Sequence, residues 1–234
     1  MIVSWFSCGA SSFVATYLMR DKIDKIIYTH IENQHPDTLR FLNDAEKIIG
    51  KEIEIISSKY FRSVDDVIRS TGIINTPYGA PCTRILKKEV RKIWEYQHQG
   101  RHTYIWGFDF DEKSRAERLC EAMPNYDHVF PLIDNELTKP EIHAMCELLG
   151  IKRPVMYDLG YDNNNCIGCV KGGMGYWNKI RKDFPEVFER RAKLERELKA
   201  TTLNGIYLDE LSPDRGREVK EIMPQCGLSC EYLI

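Results

Sequence analysis

The sequence predicts an α/β protein built on a Rossmann-like, mostly parallel five-stranded sheet with helices on both faces. Two observations predict it. Short β-branched and aromatic runs alternate with amphipathic stretches across the first 150 residues. The segments between successive strands are long enough to hold the crossover helices that parallel pairing demands.

The N-terminal run Ile2 to Phe6 suits a buried strand. Ser7 to Ser12 form a small-residue turn, and Phe13, Val14, Tyr17 and Leu18 follow at helical spacing, with Ser11 or Ser12 as N-cap. Lys25 to Ile31 reads as the second strand. Asp37 opens a helix whose apolar positions are Leu39, Leu42, Ala45 and Ile49, and Gly50 stops it. Glu52 to Ile56 is the third strand, followed by a short helical stretch at Val64 to Ile68 and a loop, Thr71 to Pro81, rich in Gly, Pro, Asn and Thr. Arg84 to Gln97 is strongly helical, Thr103 to Phe108 is the fourth strand, Glu112 to Met123 a helix and His128 to Leu132 the fifth strand. Leu137 to Leu149 adds a helix striped with Ile142, Met145, Cys146 and Leu149. Beyond Gly150 the pattern changes: Pro154 to Gly175 reads as extended, and a charged helical pair runs from Tyr176 to Ala200. We therefore expect a nucleotide-binding α/β part, 1–150, and a C-terminal helical, cysteine-rich extension, 151–234, packed on the same domain.

Thirty-three basic residues stand against thirty-five acidic ones, a net charge of −2, so no global field draws the protein to nucleic acid or anionic lipid. The sequence has no apolar run long enough to span a bilayer and no signal-peptide pattern, which gives a cytoplasmic expectation without a membrane partner.

In parallel sheets ligands bind beyond the carboxyl ends of the strands. The turn Ser7, Cys8, Gly9, Ala10, Ser11, Ser12 lies there, where backbone N–H groups and the positive end of a helix dipole can hold a phosphate. The alternative is an ordinary strand-to-helix connection, which favours the same residues. Lys87, Lys88 and Arg91 share a helix face and Arg115 begins a later helix, so either group can clamp a phosphate or sulfate or form a solvated face.

Eight cysteines in such a chain point to metal or redox chemistry. Cys120 and Cys146 fall on apolar stripes and read as core, while Cys8 sits in the first turn. Cys82, the C-x-x-C pair Cys166 and Cys169, and the pair Cys226 and Cys230 sit among Pro, Gly and Asn. Thiols gathered in turns suit a soft metal, either zinc or an iron–sulfur cluster; the alternative is two redox pairs that form transient disulfides.

The segments Val3 to Ser12, His35 to Thr38, Pro81 to Lys87, Gly107 to Asp109 with Glu112 and Arg115, Asn163 to Cys169, and Cys226 to Leu228 occur here in one order. In that order the chain resembles the phosphoadenosine phosphosulfate (PAPS) reductase family of the adenine nucleotide α-hydrolase-like (PP-loop) superfamily, most closely its compact phage and mobile-element members. The resemblance implies an adenine nucleotide, PAPS, APS or ATP, at the strand carboxyl ends, with its phosphates on Ser7 to Ser12, Lys87 and Arg115. It implies Cys226 as the nucleophile that attacks the activated sulfate, and thioredoxin as the reductant that then releases sulfite. Related reductases carry a four-iron four-sulfur cluster; Cys82, Cys166 and Cys169 match part of its ligand set, and Cys230 is the natural fourth ligand. Three departures stand out: the opening turn lacks the Lys and Asp of ATP-splitting PP-loop enzymes, Gln225 and Ser229 replace the Glu and His of the reductase tail, and Cys82 stands alone where the cluster-bearing enzymes have two adjacent cysteines.

Two further readings follow. A sulfur-transfer or nucleotide-activating enzyme of nucleic-acid modification would need a basic groove near Lys171, Lys179, Arg181, Lys182, Arg190 and Arg191, interleaved with Tyr176, Trp177 and Phe184. A non-catalytic nucleotide-binding module would use the cysteines for structural zinc.

Overall fold

The computed structural model describes residues 1–76 and 79–217. Strands β1 (Ile2–Phe6), β2 (Lys25–Thr29), β3 (Ile53–Ile56), β4 (Thr103–Ile105) and β5 (Asp127–Val129) form one parallel sheet in the order β3-β2-β1-β4-β5. In register, Val3 lies opposite Lys25 on one side of β1, and Ile2 lies opposite Thr103 on the other. The order reverses between β1 and β4, so a crevice opens at their carboxyl ends.

The helices are α1 (Ala10–Met19), α2 (Asp37–Ile49), α3 (Val64–Thr71), α4 (Pro81–Thr83), α5 (Glu89–Gln97), α6 (Lys113–Ala122), α7 (Pro131–Asp134), α8 (Lys139–Leu148), α9 (Val155–Asp158), α10 (Met174–Asp183) and α11 (Pro185–Leu198). Alternate strand residues point to opposite faces, and both faces are covered. Phe6, Ile26, Tyr28 and Ile105 pack with Phe13 of α1, Phe41 of α2 and Ile142 of α8. Val3, Trp5, Ile27 and Tyr104 pack with Trp94 of α5 and Leu119 of α6. The α/β expectation is met, and no helix among the described residues is long and apolar enough to cross a membrane.

Several local expectations change. Gly9, not Ser11 or Ser12, is the N-cap of α1; Ser12 sits one turn inside and sends its hydroxyl back toward the loop. Leu39 is 41% exposed, because α2 buries Phe41, Leu42, Ala45 and Ile49 instead. Cys120 is exposed rather than core: Leu119 and Met123 face the sheet, and the next residue after Leu119 is turned by about 100°. The fifth strand ends at Val129, and Pro131 starts α7, where its missing N–H costs nothing. Within the stretch read as extended, Val155 to Asp158 form α9. The helix predicted from Arg84 begins at Pro81 and passes through a π-helical turn, Arg84–Lys88, before α5.

Beyond α9 the chain builds its own core from Trp177, Ile180, Phe188 and Leu208. Glu195 is fully buried and accepts hydrogen bonds from Thr202 N (2.5 Å) and Leu208 N (2.7 Å), which pins the return after α11. Asp65 at the start of α3 pairs with Arg190 (2.9 Å) and Arg191 (2.8 Å) of α11. Asp37 joins α2 to α9, accepting from Val155 N (2.8 Å) and pairing with Arg40 (2.7 Å).

The hydrogen bond from Arg40 holds the Asp37 carboxyl below the usual carboxylate range. The charged form therefore adds stability above that range, and the contribution is lost as pH falls through the depressed value. With its side chain 23% exposed, Asp37→Asn should cost about 1 kcal/mol at pH 7 and flatten the acid-side decline, as urea unfolding at pH 7 and pH 4 will show.

Candidate functional site

At the carboxyl end of β1 the backbone N–H groups of Ser7 and Gly9 both point at Ser12 Oγ, each at 3.2 Å. Two amides converging on one oxygen make a small anion-binding nest, filled here by the chain's own hydroxyl. Ser12 Oγ in turn donates to Gly9 O at 2.9 Å. Cys8, between the two amides, has φ 56°, a left-handed conformation that costs a non-glycine residue about 1 kcal/mol. Its carbonyl accepts from Asn164 Nδ2 (2.8 Å), and Ala10 N donates to the Tyr157 hydroxyl (3.2 Å). The Cys8 side chain is wholly buried, and burial pushes its thiol well above the usual value, so it stays a neutral SH inside the core. Ser11 and Ser12 are buried, and Ser7 is half-buried.

The other wall comes from the segment after β4. Gly107 lies against the start of α1; a Cβ there would stand 2.6 Å from both Ser12 N and Ser12 Cα. Asp109 is buried two residues on and accepts from Asp111 N (3.2 Å); burial pushes its carboxyl up. Arg115 pairs with Glu112, and its guanidinium lies 4.5 Å from the Phe108 ring centre.

The thiols form a second locus. Cys82, Cys166 and Cys169 line one cavity of about 10 Å3, room for about one water, and Lys87 lines it with them. The C-x-x-C turn depends on Gly168, at φ 71°, where a Cβ would strike Val187 Cγ1 at 2.7 Å. Tyr176 staples the turn: its hydroxyl accepts from Cys169 N (3.0 Å) and donates to Cys166 O (3.2 Å). Ile167 N bonds to Asn33 O (2.8 Å), which fastens the turn to the loop after β2.

The donor chemistry of this locus suits a soft metal: three sulfurs from two segments, with Cys166 and Cys169 buried. As placed, no three His, Cys, Asp or Glu side chains among the described residues close into a metal cage. Cys226 and Cys230 lie outside the described residues.

Lys87 is 8% exposed and lines the thiol cavity. Of the basic residues named for a groove, Arg181, Arg190, Arg191 and Lys179 are drawn into internal contacts, and Lys182 is exposed. Arg181 donates to the carbonyls of Leu208 and Leu211, Arg190 and Arg191 hold Asp65, and Lys179 pairs with Asp183. Trp177 is fully buried. Tyr157 was given no role by the sequence, Tyr176 only that of a groove aromatic, and Asn164 and Gly107 only membership of the segments that carry the resemblance; the Asn163-Asn164-Asn165 run and the lone Gly107 after an apolar strand were signals of more.

A solved structure of phosphoadenylyl-sulfate (PAPS) reductase from Candida auris, a phosphate complex, superposes with a TM-score of 0.52. The match covers 70% of this chain and 80% of that one at 14% sequence identity. The fold is PAPS reductase-like. At that identity the likeness concerns the fold alone. A protein of Methanocaldococcus jannaschii described only as uncharacterized is 23% identical over 211 residues, which is 82% of this chain and 41% of that protein. The chain thus spans about two fifths of the length of that relative. No family model matches the sequence.

Gly107→Ala should force the β4 segment off α1 and cost about 1–3 kcal/mol, read as a lowered thermal midpoint. Tyr176→Phe should cost about 1 kcal/mol and raise the alkylation rates of Cys166 and Cys169, measured by mass spectrometry after timed iodoacetamide exposure.

Proposed function

We propose that this protein binds an adenine nucleotide at the carboxyl edge of its sheet and acts on the nucleotide's activated sulfate. The observation that carries the reading is the convergence of Ser7 N–H and Gly9 N–H on one oxygen at the β1/β4 switch point of a PAPS reductase-like fold. A phosphate or sulfate oxygen would displace Ser12 Oγ there, and Arg115, held against Phe108 after β4, would add charge. In this reading residues 1–150 supply the nucleotide edge and residues 151–234 bring the thiols to it.

The chemistry assigned to Cys226 is what the resemblance to the PAPS reductases implies for its position in the sequence. Its thiolate attacks the sulfate sulfur, forming an S–S bond as the S–O bond to the nucleotide's phosphate breaks and the adenine nucleotide leaves. A dithiol protein of the thioredoxin class then attacks Cys226 Sγ; sulfite departs with the electron pair, and the dithiol leaves as its disulfide.

Cys82, Cys166 and Cys169 would hold the cysteine-bound centre, with Cys230 as fourth ligand; the support is that the first three share one cavity. An iron–sulfur cluster bound there would supply redox or electrostatic tuning, and a zinc ion a structural cross-link.

Calorimetric titration with PAPS, APS and ATP should give saturable binding of at least one of them. Ser12→Asp, which puts a carboxylate in the nest, should weaken that binding at least about tenfold, while Ser12→Ala should not weaken it. Thioredoxin-dependent sulfite release should fall about a thousandfold or more in Cys226→Ser. Sulfite release that survives this change excludes the nucleophile assignment. Metal analysis after anaerobic purification should find iron with labile sulfide, or zinc, lost in Cys166→Ser.

A further inference from the structure

The C-terminal part encloses a cavity of about 660 Å3, within the range of small-molecule sites. Its described lining residues run from Met156 to Arg217, so it is distinct from the opening turn. One wall is the 163–166 segment, whose other side bonds to that turn through Asn164 and Cys8 O. Cys166 lines both this cavity and the small thiol cavity, so the two spaces share that residue.

The lining has a directional chemistry. Its inner part carries two aromatic rings, Tyr161 and Tyr176, with centroids 5.9 Å apart and planes at 74°, together with the buried amide of Asn165. Its outer part carries the exposed cations Lys182, Arg215 and Arg217. Four cations in all face three carboxylates, and one of these, Asp183, is already held by Lys179 (2.9 Å) and the Tyr161 hydroxyl (2.9 Å). The two remaining carboxylates, Asp162 and Asp214, leave the outer cations in excess. Rings and an amide inside with cations outside match a ligand that has a planar, hydrogen-bonding ring at one end and a phosphate at the other.

We propose that this cavity is a second ligand site for a nucleoside monophosphate or a molecule of that size and chemistry, its ring against the edge-to-face Tyr161–Tyr176 pair and its phosphate toward Lys182 and Arg215. The site places its occupant against Cys166, next to the thiols. It stands independently of nucleotide binding at the opening turn.

The test titrates AMP, adenosine and inorganic phosphate into the full chain, alongside the double variant Lys182→Glu/Arg215→Glu and the variant Ser12→Asp. Both reversed cations are exposed, so the fold should hold, and circular dichroism checks it. AMP should bind, and the double variant should weaken it at least about tenfold while adenosine binding changes less than about twofold. Ser12→Asp should leave this binding event in place, so that failure at the opening turn and failure here give different patterns. The proposal is overturned if the double variant binds AMP as the native chain does, if Ser12→Asp removes all AMP binding, or if AMP fails to bind. Tighter binding of a single-stranded oligonucleotide than of AMP, with the same sensitivity to charge reversal, would also overturn it.

Discussion

The amide of Asn164 is the joint on which the arrangement turns. Its Nδ2 reaches Cys8 O at 2.8 Å and Thr38 Oγ1 at 3.2 Å, tying the segment before the C-x-x-C to the β1 loop and the start of α2. Buried and fully engaged as a donor, it holds Cys8 in a left-handed conformation that the loop alone would not keep. Losing it would cost more than one hydrogen bond, because the Cys8 carbonyl would be left buried without that partner. Tyr157 bonded to Ala10 N and Asp37 bonded to Val155 N flank the same joint. Three contacts between distant segments thus fix where the C-terminal residues meet the strand ends.

From that joint the chemistry is laid out in sequence along a short path. The two convergent amides lie on one side of the 163–166 segment, the thiol cavity follows at Cys166, and the larger cavity opens beyond. Three cations near this path are held by carboxylates: Arg115 by Glu112, Lys179 by Asp183, and Arg191 by Asp65. Such pairing favours a fixed arrangement of walls.

The sheet was legible because most strands are runs rich in β-branched or aromatic residues, as at Lys25 to Thr29, and because both faces needed apolar cover. The opening turn was legible as a place but not as a geometry: no pattern in six small residues says that Ser12 would reach back to Ser7 and Gly9. Lys87 shows the limit of helical spacing. Periodicity groups Lys87 with Arg91 on one face, yet it does not say what that face packs against, and the answer here is Cys82, Cys166 and Cys169. Cys120 shows the same limit from the other side, since a stripe drawn one residue too wide takes in a side chain that points outward. The meeting of Asn164 with Cys8 joins positions 156 residues apart, which no local pattern reports.

The π-helical turn at Arg84–Lys88 sets a phase between the two ends of one long helix. It holds one residue more than a regular turn, so the part that carries Cys82 is rotated by about 100° against the part that carries Val90 and Trp94. Trp94 is locked in the sheet's core and Cys82 against the C-x-x-C loop. A chain shorter by one residue here could satisfy only one of these dockings, so the length of this turn, more than the identity of any side chain in it, gears the thiols to the sheet.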